Sequence, residues 1–201
     1  PPFPPPAPPP HPHISTGRLL QMCIETAVYG TLIGGLSGAC PPVIGYCAVT
    51  GHFDAGAAIL FITFCIWQLP HSYAIAIYRF DDYKAASIPV LPVEVGIARA
   101  RLHIIAYIIA FAVAALALNY LGYAGSWYAL GVGLVSLHWL YIAKVGYQKV
   151  PDAQWGKQML LCSIANIMVF CLLISLDFSE GELSENIQAH NTIVFNLLGQ
   201  I

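Results

Sequence analysis

The chain has 201 residues, of which 58% are hydrophobic and 9% charged, against globular averages of roughly 45–50% and about 25%. Its 8 basic and 10 acidic side chains are too few to coat a globule of this length, and long stretches carry none, so most of the chain has lipid as its solvent. A net charge of −2 leaves no electrostatic footprint for nucleic acid and excludes that class of partner.

In chain order, residues 1–13 hold nine of the fifteen prolines. Such a tract favours polyproline II, has no internal hydrogen bonds and does not cross a bilayer. Residues 1–27 are therefore expected to form a disordered proline-rich segment. No basic stretch followed by an apolar one marks a secretory leader. Five apolar stretches follow, at about 28–49, 55–78, 104–121, 127–143 and 158–176, each close to the length needed for roughly 30 Å of hydrocarbon. The predicted fold class is all-α, a polytopic transmembrane helix bundle. Trp127, Trp139 and Tyr141 read as interfacial aromatics of the fourth span. The six cysteines, Cys23, Cys40, Cys47, Cys65, Cys162 and Cys171, include no C-x-x-C pair. They read as small core residues and not as disulfides or zinc ligands.

The loops set the orientation. Arg79, Lys84, Arg99 and Arg101 fall between the second and third spans, and Lys144, Lys149 and Lys157 between the fourth and fifth, whereas the alternate connections carry no cation. By the positive-inside rule both basic loops face the cytoplasm or matrix. After residue 178 a polar stretch, 179–190, precedes an apolar decapeptide, 192–201, that is too short to span. It suggests no function.

Polar residues inside the spans carry the functional signal. Gly30, Gly34 and Gly38 recur every fourth residue, giving one helix face that admits a close neighbour. Pro41 and Pro42 follow and are expected to kink that helix beside a pocket. The second span holds Trp67, Gln68, Pro70 and His71. An intramembrane histidine marks a functional site by default, with satisfaction by a neighbouring helix as the alternative. On a continuous helix His71, Ile75, Tyr78 and Asp82 share a stripe, with about 16 Å between His71 and Asp82, so imidazole and carboxylate are expected to line one cavity. The loop residues Arg79, Asp81, Asp82, Tyr83 and Lys84 form the densest polar patch. Adjacent carboxylates can share Mg²⁺ with phosphates, and the cations beside them suit diphosphate oxygens. A plainly solvated loop is the other reading.

These residues also carry a family pattern. The stretch Val28-Tyr29-Gly30-Thr31-Leu32-Ile33-Gly34, the motif Pro41-Pro42-Val43-Ile44-Gly45-Tyr46, the segment Trp67-Gln68-Leu69-Pro70-His71-Ser72-Tyr73 and the loop Arg79-Phe80-Asp81-Asp82-Tyr83 through Ile88-Pro89-Val90-Leu91-Pro92 resemble the heme O synthases. These are the protoheme IX farnesyltransferases of the UbiA prenyltransferase superfamily. The match runs over residues 28–178. The resemblance implies a nine-helix fold around a cavity opening to the cytoplasmic side, and transfer of farnesyl from farnesyl diphosphate to a vinyl group of heme b. It implies Asp82, Arg79 and Tyr83 as catalytic residues and His71, Lys84 and Tyr78 as substrate-binding residues. Asp82 and Asp81 would hold Mg²⁺, Asp81 the less securely because relatives can carry lysine there. Implied surroundings are a lipid bilayer, the bacterial inner membrane or alternatively the mitochondrial one, with heme A synthase or oxidase assembly factors as partners.

The chain departs from the family in two respects. It offers five spans, and it contains no N-x-x-x-D-x-x-x-D motif, which in the family supplies the first half of the metal site. The start at Pro1 fits an N-terminally incomplete copy that is expected to be inactive alone. Two other functions remain open: a prenyltransferase with a different aromatic acceptor, and a non-catalytic heme-binding or oxidase-assembly membrane protein.

Overall fold

The computed structural model describes residues 34–177. Helix α1 covers 34–50. It is followed by α2 (Ala55–Tyr78), α3 (Phe80–Ala85), α4 (Leu91–Val95), α5 (Ile97–Tyr120), α6 (Ser126–Gly146) and α7 (Asp152–Leu176). Four of these, α2, α5, α6 and α7, are long and apolar enough to cross a membrane. The described part of the first predicted span is helical throughout, and the helix continues through Pro41 and Pro42. The segments 1–27 and 179–201 lie outside the described residues.

Helix α2 occupies the bounds expected for the second span, and Asp54 caps its start: the carboxylate accepts from the Ala57 N–H at 2.8 Å. The other helices begin earlier than their apolar stretches. Helix α5 starts at Ile97 and α7 at Asp152, because charged residues near a membrane surface are compatible with helix while adding nothing to hydropathy.

α2 packs on α5 and α7, and α6 packs on the same two helices, which closes a four-helix ring. Phe170 is the centre of its core, with Phe64 at 5.6 Å, Tyr128 at 5.7 Å and Phe111 at 6.0 Å between ring centroids. Trp139 joins this cluster against Phe111. It is fully buried, so it is a core residue and not the interfacial aromatic expected from its place near a span end; Trp127 and Tyr141 are exposed. Leu130, Leu134, Leu137, Met168 and Leu172 point outward, as a lipid-facing surface requires.

The contacts between connections sort the two ends of the bundle. At one end Asp54 accepts from the Tyr46 hydroxyl at 3.0 Å and also meets the Tyr123 hydroxyl, which burial first and this carboxylate second push above the usual phenol range. Asp177 lies at the same end, accepting from the Tyr128 N–H at 2.8 Å while its carbonyl accepts from Gly125. At the other end, Arg101 donates to the carbonyls of Tyr147 and Val150 and to the Asp152 carboxylate. All lysines and arginines among the described residues fall at this second end, which makes it the inner end by charge.

Of the glycine stripe, Gly30 lies outside the described residues. A methyl group on Gly38 would sit 2.9 Å from the Gln68 amide, whereas one on Gly34 would meet nothing. The close face of α1 therefore runs through Gly35 and Gly38, one position away from the expected fourfold spacing. The described cysteines are free thiols. Cys47, Cys65 and Cys162 are half-buried and pack against the core, as expected, whereas Cys40 and Cys171 are exposed, which corrects the core reading for those two; Cys23 lies outside the described residues.

Candidate functional site

The inner end of α2 builds the candidate site. The helix does not continue to Asp82: it ends at Arg79, whose backbone (φ −105°, ψ 30°) leaves the helical region while its N–H still reaches the Ile75 carbonyl at 2.9 Å. Helix α3 starts at the next residue, Phe80, and the Tyr83 N–H reaches the Arg79 carbonyl at 3.1 Å, so Ile75, Arg79 and Asp82 stay on one side across the junction. Ser87 adopts a positive φ of 54°, and the Ile88 N–H closes onto the Tyr83 carbonyl at 3.0 Å, turning the chain toward α4.

At this junction lies an open cavity of about 470 Å³ lined by Ile75, Arg79, Asp82, Tyr83, Ala86 and Ile88. Arg79 Nη1 donates to Asp82 Oδ2 at 3.2 Å, with both side chains largely exposed. The Arg79 guanidinium also lies 5.8 Å from the Tyr78 ring centroid. Arg79, Asp82 and Tyr83, the three expected catalytic residues, are therefore brought together on one wall. The structure separates the others. Lys84 sits over Phe80 at 5.9 Å, and neither Lys84, Asp81, Tyr78 nor His71 lines this cavity.

His71 faces α7 instead. Its Nδ1 lies 2.8 Å from Ser163 Oγ, and its ring stacks on Trp67 with centroids 4.8 Å apart. Trp67 Nε1 donates to the Ser163 carbonyl at 3.0 Å. The shared cavity of imidazole and carboxylate is not observed, because His71 is engaged with Ser163 of α7 while Asp82 lines the cavity with Ile75 and Arg79. Ile75, one turn beyond His71, links the two regions.

Among the described residues no three acidic, histidine or cysteine side chains converge on a metal position. Among the described residues Asp82 is the one carboxylate at the cavity. That donor set suits Mg²⁺ arriving with phosphate oxygens, since this ion keeps several waters and takes as few as one protein carboxylate, and it does not suit a resident ion caged by protein alone.

Sequence reasoning counted Arg101 only as an orienting charge. It is 6% exposed, and its guanidinium lies 4.7 Å from the Trp155 ring centroid, pinning the inner ends of α5 and α7 to the 147–151 connection. A second cavity, about 380 Å³, lies between α1, α2 and α7 toward the outer end, with Pro42, Tyr46, Phe64 and Phe170 among its walls. This agrees with the expectation of a pocket beside the double proline, and it forms without the helix being interrupted.

Fold and site together define an integral membrane protein: an all-α polytopic bundle whose polar cavity opens at its cationic end. The model of the UbiA prenyltransferase family matches residues 23–166, and the chain belongs to that family. It is 57% identical over 152 residues to a protoheme IX farnesyltransferase of Klebsiella pneumoniae, covering 76% of this chain and 52% of that protein. It is also 57% identical over 150 residues to protoheme IX farnesyltransferase 2 of Pseudomonas paraeruginosa, covering 75% and 51%. An Escherichia coli protoheme IX farnesyltransferase gives 57% over 152 residues, 76% and 51%. The chain spans about half the length of the curated relatives it matches. No solved structure matches it.

Proposed function

We propose that this chain carries the inner-face diphosphate site and the heme-facing helix of a protoheme IX farnesyltransferase, which joins the farnesyl group of farnesyl diphosphate to a vinyl group of heme b and gives heme O after addition of water. The observation that carries the reading is the cavity wall on which Arg79 and Asp82 meet, in a chain 57% identical to enzymes of that name.

Breaking the allylic C–O bond leaves an electron pair on pyrophosphate and a cation on the farnesyl carbon, so catalysis rests on stabilising the leaving group and keeping water from the cation until the vinyl carbon has attacked. Arg79 is placed to donate to the diphosphate oxygens. Its exposed pair with Asp82 is worth at most about 1 kcal/mol, so phosphate readily draws the guanidinium away and frees the carboxylate. Asp82 would then hold a Mg²⁺ arriving with the phosphate, which would supply further charge stabilisation to the leaving group. Tyr83 completes the polar wall, and Ile75, Ala86 and Ile88 keep the rest apolar. Lys84, outside the cavity, attracts the approaching diphosphate by long-range charge, Asp81 attracts only its Mg²⁺, and Tyr78 holds Arg79 by its ring.

In this reading residues 28–178 form the prenyltransferase region, to which the family match from residue 23 adds 23–27, while 1–22 and 179–201 lie outside it. The inner end faces the cytoplasm of a bacterial inner membrane, or the matrix in a mitochondrion, where heme A synthase and oxidase assembly factors would receive the product. The chain alone is inactive, because one carboxylate at the cavity supplies only half of a two-motif metal site.

The test uses membranes holding this chain with and without the N-terminal half of the Klebsiella relative, supplied with heme b, farnesyl diphosphate and Mg²⁺. Heme O is expected only when both halves are present, with Asp82→Ala lowering turnover about 100-fold, the scale of losing one charge-stabilising group. Undiminished heme O from that variant removes the cavity from the mechanism. A product of different mass identifies another aromatic acceptor, and heme retention indifferent to diphosphate and Mg²⁺, with no product, identifies a binding protein.

A further inference from the structure

We propose that Ser163 is a positioning residue that fixes His71 as the Nδ1–H tautomer, so that Nε2 presents a lone pair to the iron of the heme and not a proton to one of its propionates. The iron half of this inference rests on the heme reading above; the tautomer half does not.

The proton count decides the tautomer. Ser163 Oγ lies 2.7 Å from the Leu160 carbonyl and 2.8 Å from His71 Nδ1. A carbonyl only accepts, and a hydroxyl has one proton. That proton is committed to Leu160, so in the second contact Ser163 accepts and Nδ1 donates. With Nδ1 protonated, a neutral imidazole carries its lone pair on Nε2. The ring stays neutral because an imidazolium in the hydrocarbon region, with no carboxylate against it, is costly.

Ser163 also fixes the ring plane. Its carbonyl accepts from Trp67 Nε1 at 3.0 Å, and the Trp67 indole stacks on the imidazole with an interplanar angle of 21°. One fully buried serine thus holds both aromatic rings, one with each of its oxygens, and a flip of His71 would break its bond to Ser163. Among the described residues Nε2 has no hydrogen-bond partner, and His71 is only partly buried. A histidine whose one nitrogen donates to a fixed acceptor while the other stays bare is the arrangement found at metal-ligating histidines, where the second hydrogen bond sets the tautomer and raises basicity. A propionate carboxylate, by contrast, would meet a lone pair. Ile75, one turn away or about 6 Å along the axis, lines the diphosphate cavity, so the iron would sit deeper in the membrane than the diphosphate, on the same helix.

The experiment uses the full chain in lipid nanodiscs with ¹⁵N-labelled histidine, the His71 resonances being assigned by their disappearance in His71→Gln. Wild type is expected to show Nδ1 protonated and Nε2 bare, and Ser163→Ala a mixture of tautomers; Nε2 protonation in wild type overturns the proposal. In a parallel hemin titration the Soret band of wild type should report imidazole ligation, lost in His71→Gln. Affinity should fall about 10-fold in Ser163→Ala and recover in Ser163→Thr, which restores the hydroxyl. Circular dichroism verifies that each variant is folded. Hemin binding unchanged by His71→Gln overturns the iron assignment and leaves the heme reading intact. Absence of hemin binding by wild type defeats the heme reading, and the iron assignment with it, while the tautomer stands on its own resonances.

Discussion

Arg101 sits on α5 with 6% of its surface exposed, a burial that costs a guanidinium less the more of its donors are filled. The carbonyls of Tyr147 and Val150 and the Asp152 carboxylate take Nη1 and Nη2, Nε has no partner among the described residues, and Trp155 covers one face. Asp152 is itself 54% exposed, so the partners contribute unequally. Arg101→Ala removes every bond at once and opens space against Trp155, and is expected to cost about 3 kcal/mol. Asp152→Asn keeps both carbonyl bonds and should cost less than about 1 kcal/mol. Thermal unfolding of the two variants in detergent, followed by circular dichroism, checks the order; equal losses would show that the ion pair dominates and not the carbonyl bonds. The chain sequence marks Arg101 as one cation among four in a basic stretch. Its special role was not legible, because its acceptors lie 46 to 51 residues away. The same holds for His71, which stood out as a polar residue in an apolar run while its partner Ser163, 92 residues on, did not.

Between elements, close approach is governed by what a side chain would meet. Where α7 crosses the end of α2, a methyl group on Gly156 would lie 2.7 Å from the Tyr78 backbone nitrogen and 3.1 Å from the Ala74 carbonyl. Backbone cannot step aside, so Gly156→Ala should destabilise by about 1–3 kcal/mol through overpacking. At Gly38 the obstacle is the end of the Gln68 side chain, which can rotate away. Gly38→Ala should therefore be close to neutral, the gain of up to about 1 kcal/mol in helix propensity offsetting the shift. Melting temperatures of the two variants compared side by side provide the check, and a more damaging Gly38→Ala would reverse this account of the α1–α2 and α2–α7 contacts. The sequence pattern pointed to Gly38 through its regular spacing and passed over Gly156, whose importance comes from a helix crossing that no spacing encodes.

At the level of the whole molecule, the arrangement of the ends fixes which surfaces share a compartment. The turns at 51–54 and 121–125 meet through Asp54 and Tyr123, and Asp177 joins them through Gly125 and Tyr128. The cavity at Arg79 and Asp82 lies at the opposite end with the 147–151 connection. A cysteine introduced at exposed Asp81 or Lys149 is expected to react with a membrane-impermeant maleimide only from the cytoplasmic or matrix face, and one at exposed His52 only from the other. Labelling of all three from one side would contradict the bundle. The native thiols within the spans are expected to stay unlabelled, since a charged reagent does not enter the hydrocarbon.

The sequence by itself determined the all-α membrane class, the approximate spans and the kinship to the UbiA family. Hydrophobicity and charge act through sums over about twenty neighbouring residues, and those sums survive any arrangement of the helices. The tertiary structure alone decided which polar groups meet. The α2–α3 junction places Arg79, Asp82 and Tyr83 around one cavity with Ile88 and leaves Asp81 and Lys84 outside it; the rotation of α7 against α2 gives His71 to Ser163. Such pairings depend on helix register and rotation, set by close packing of Phe64, Phe111, Tyr128 and Phe170, and a linear pattern of residue types carries no record of that packing.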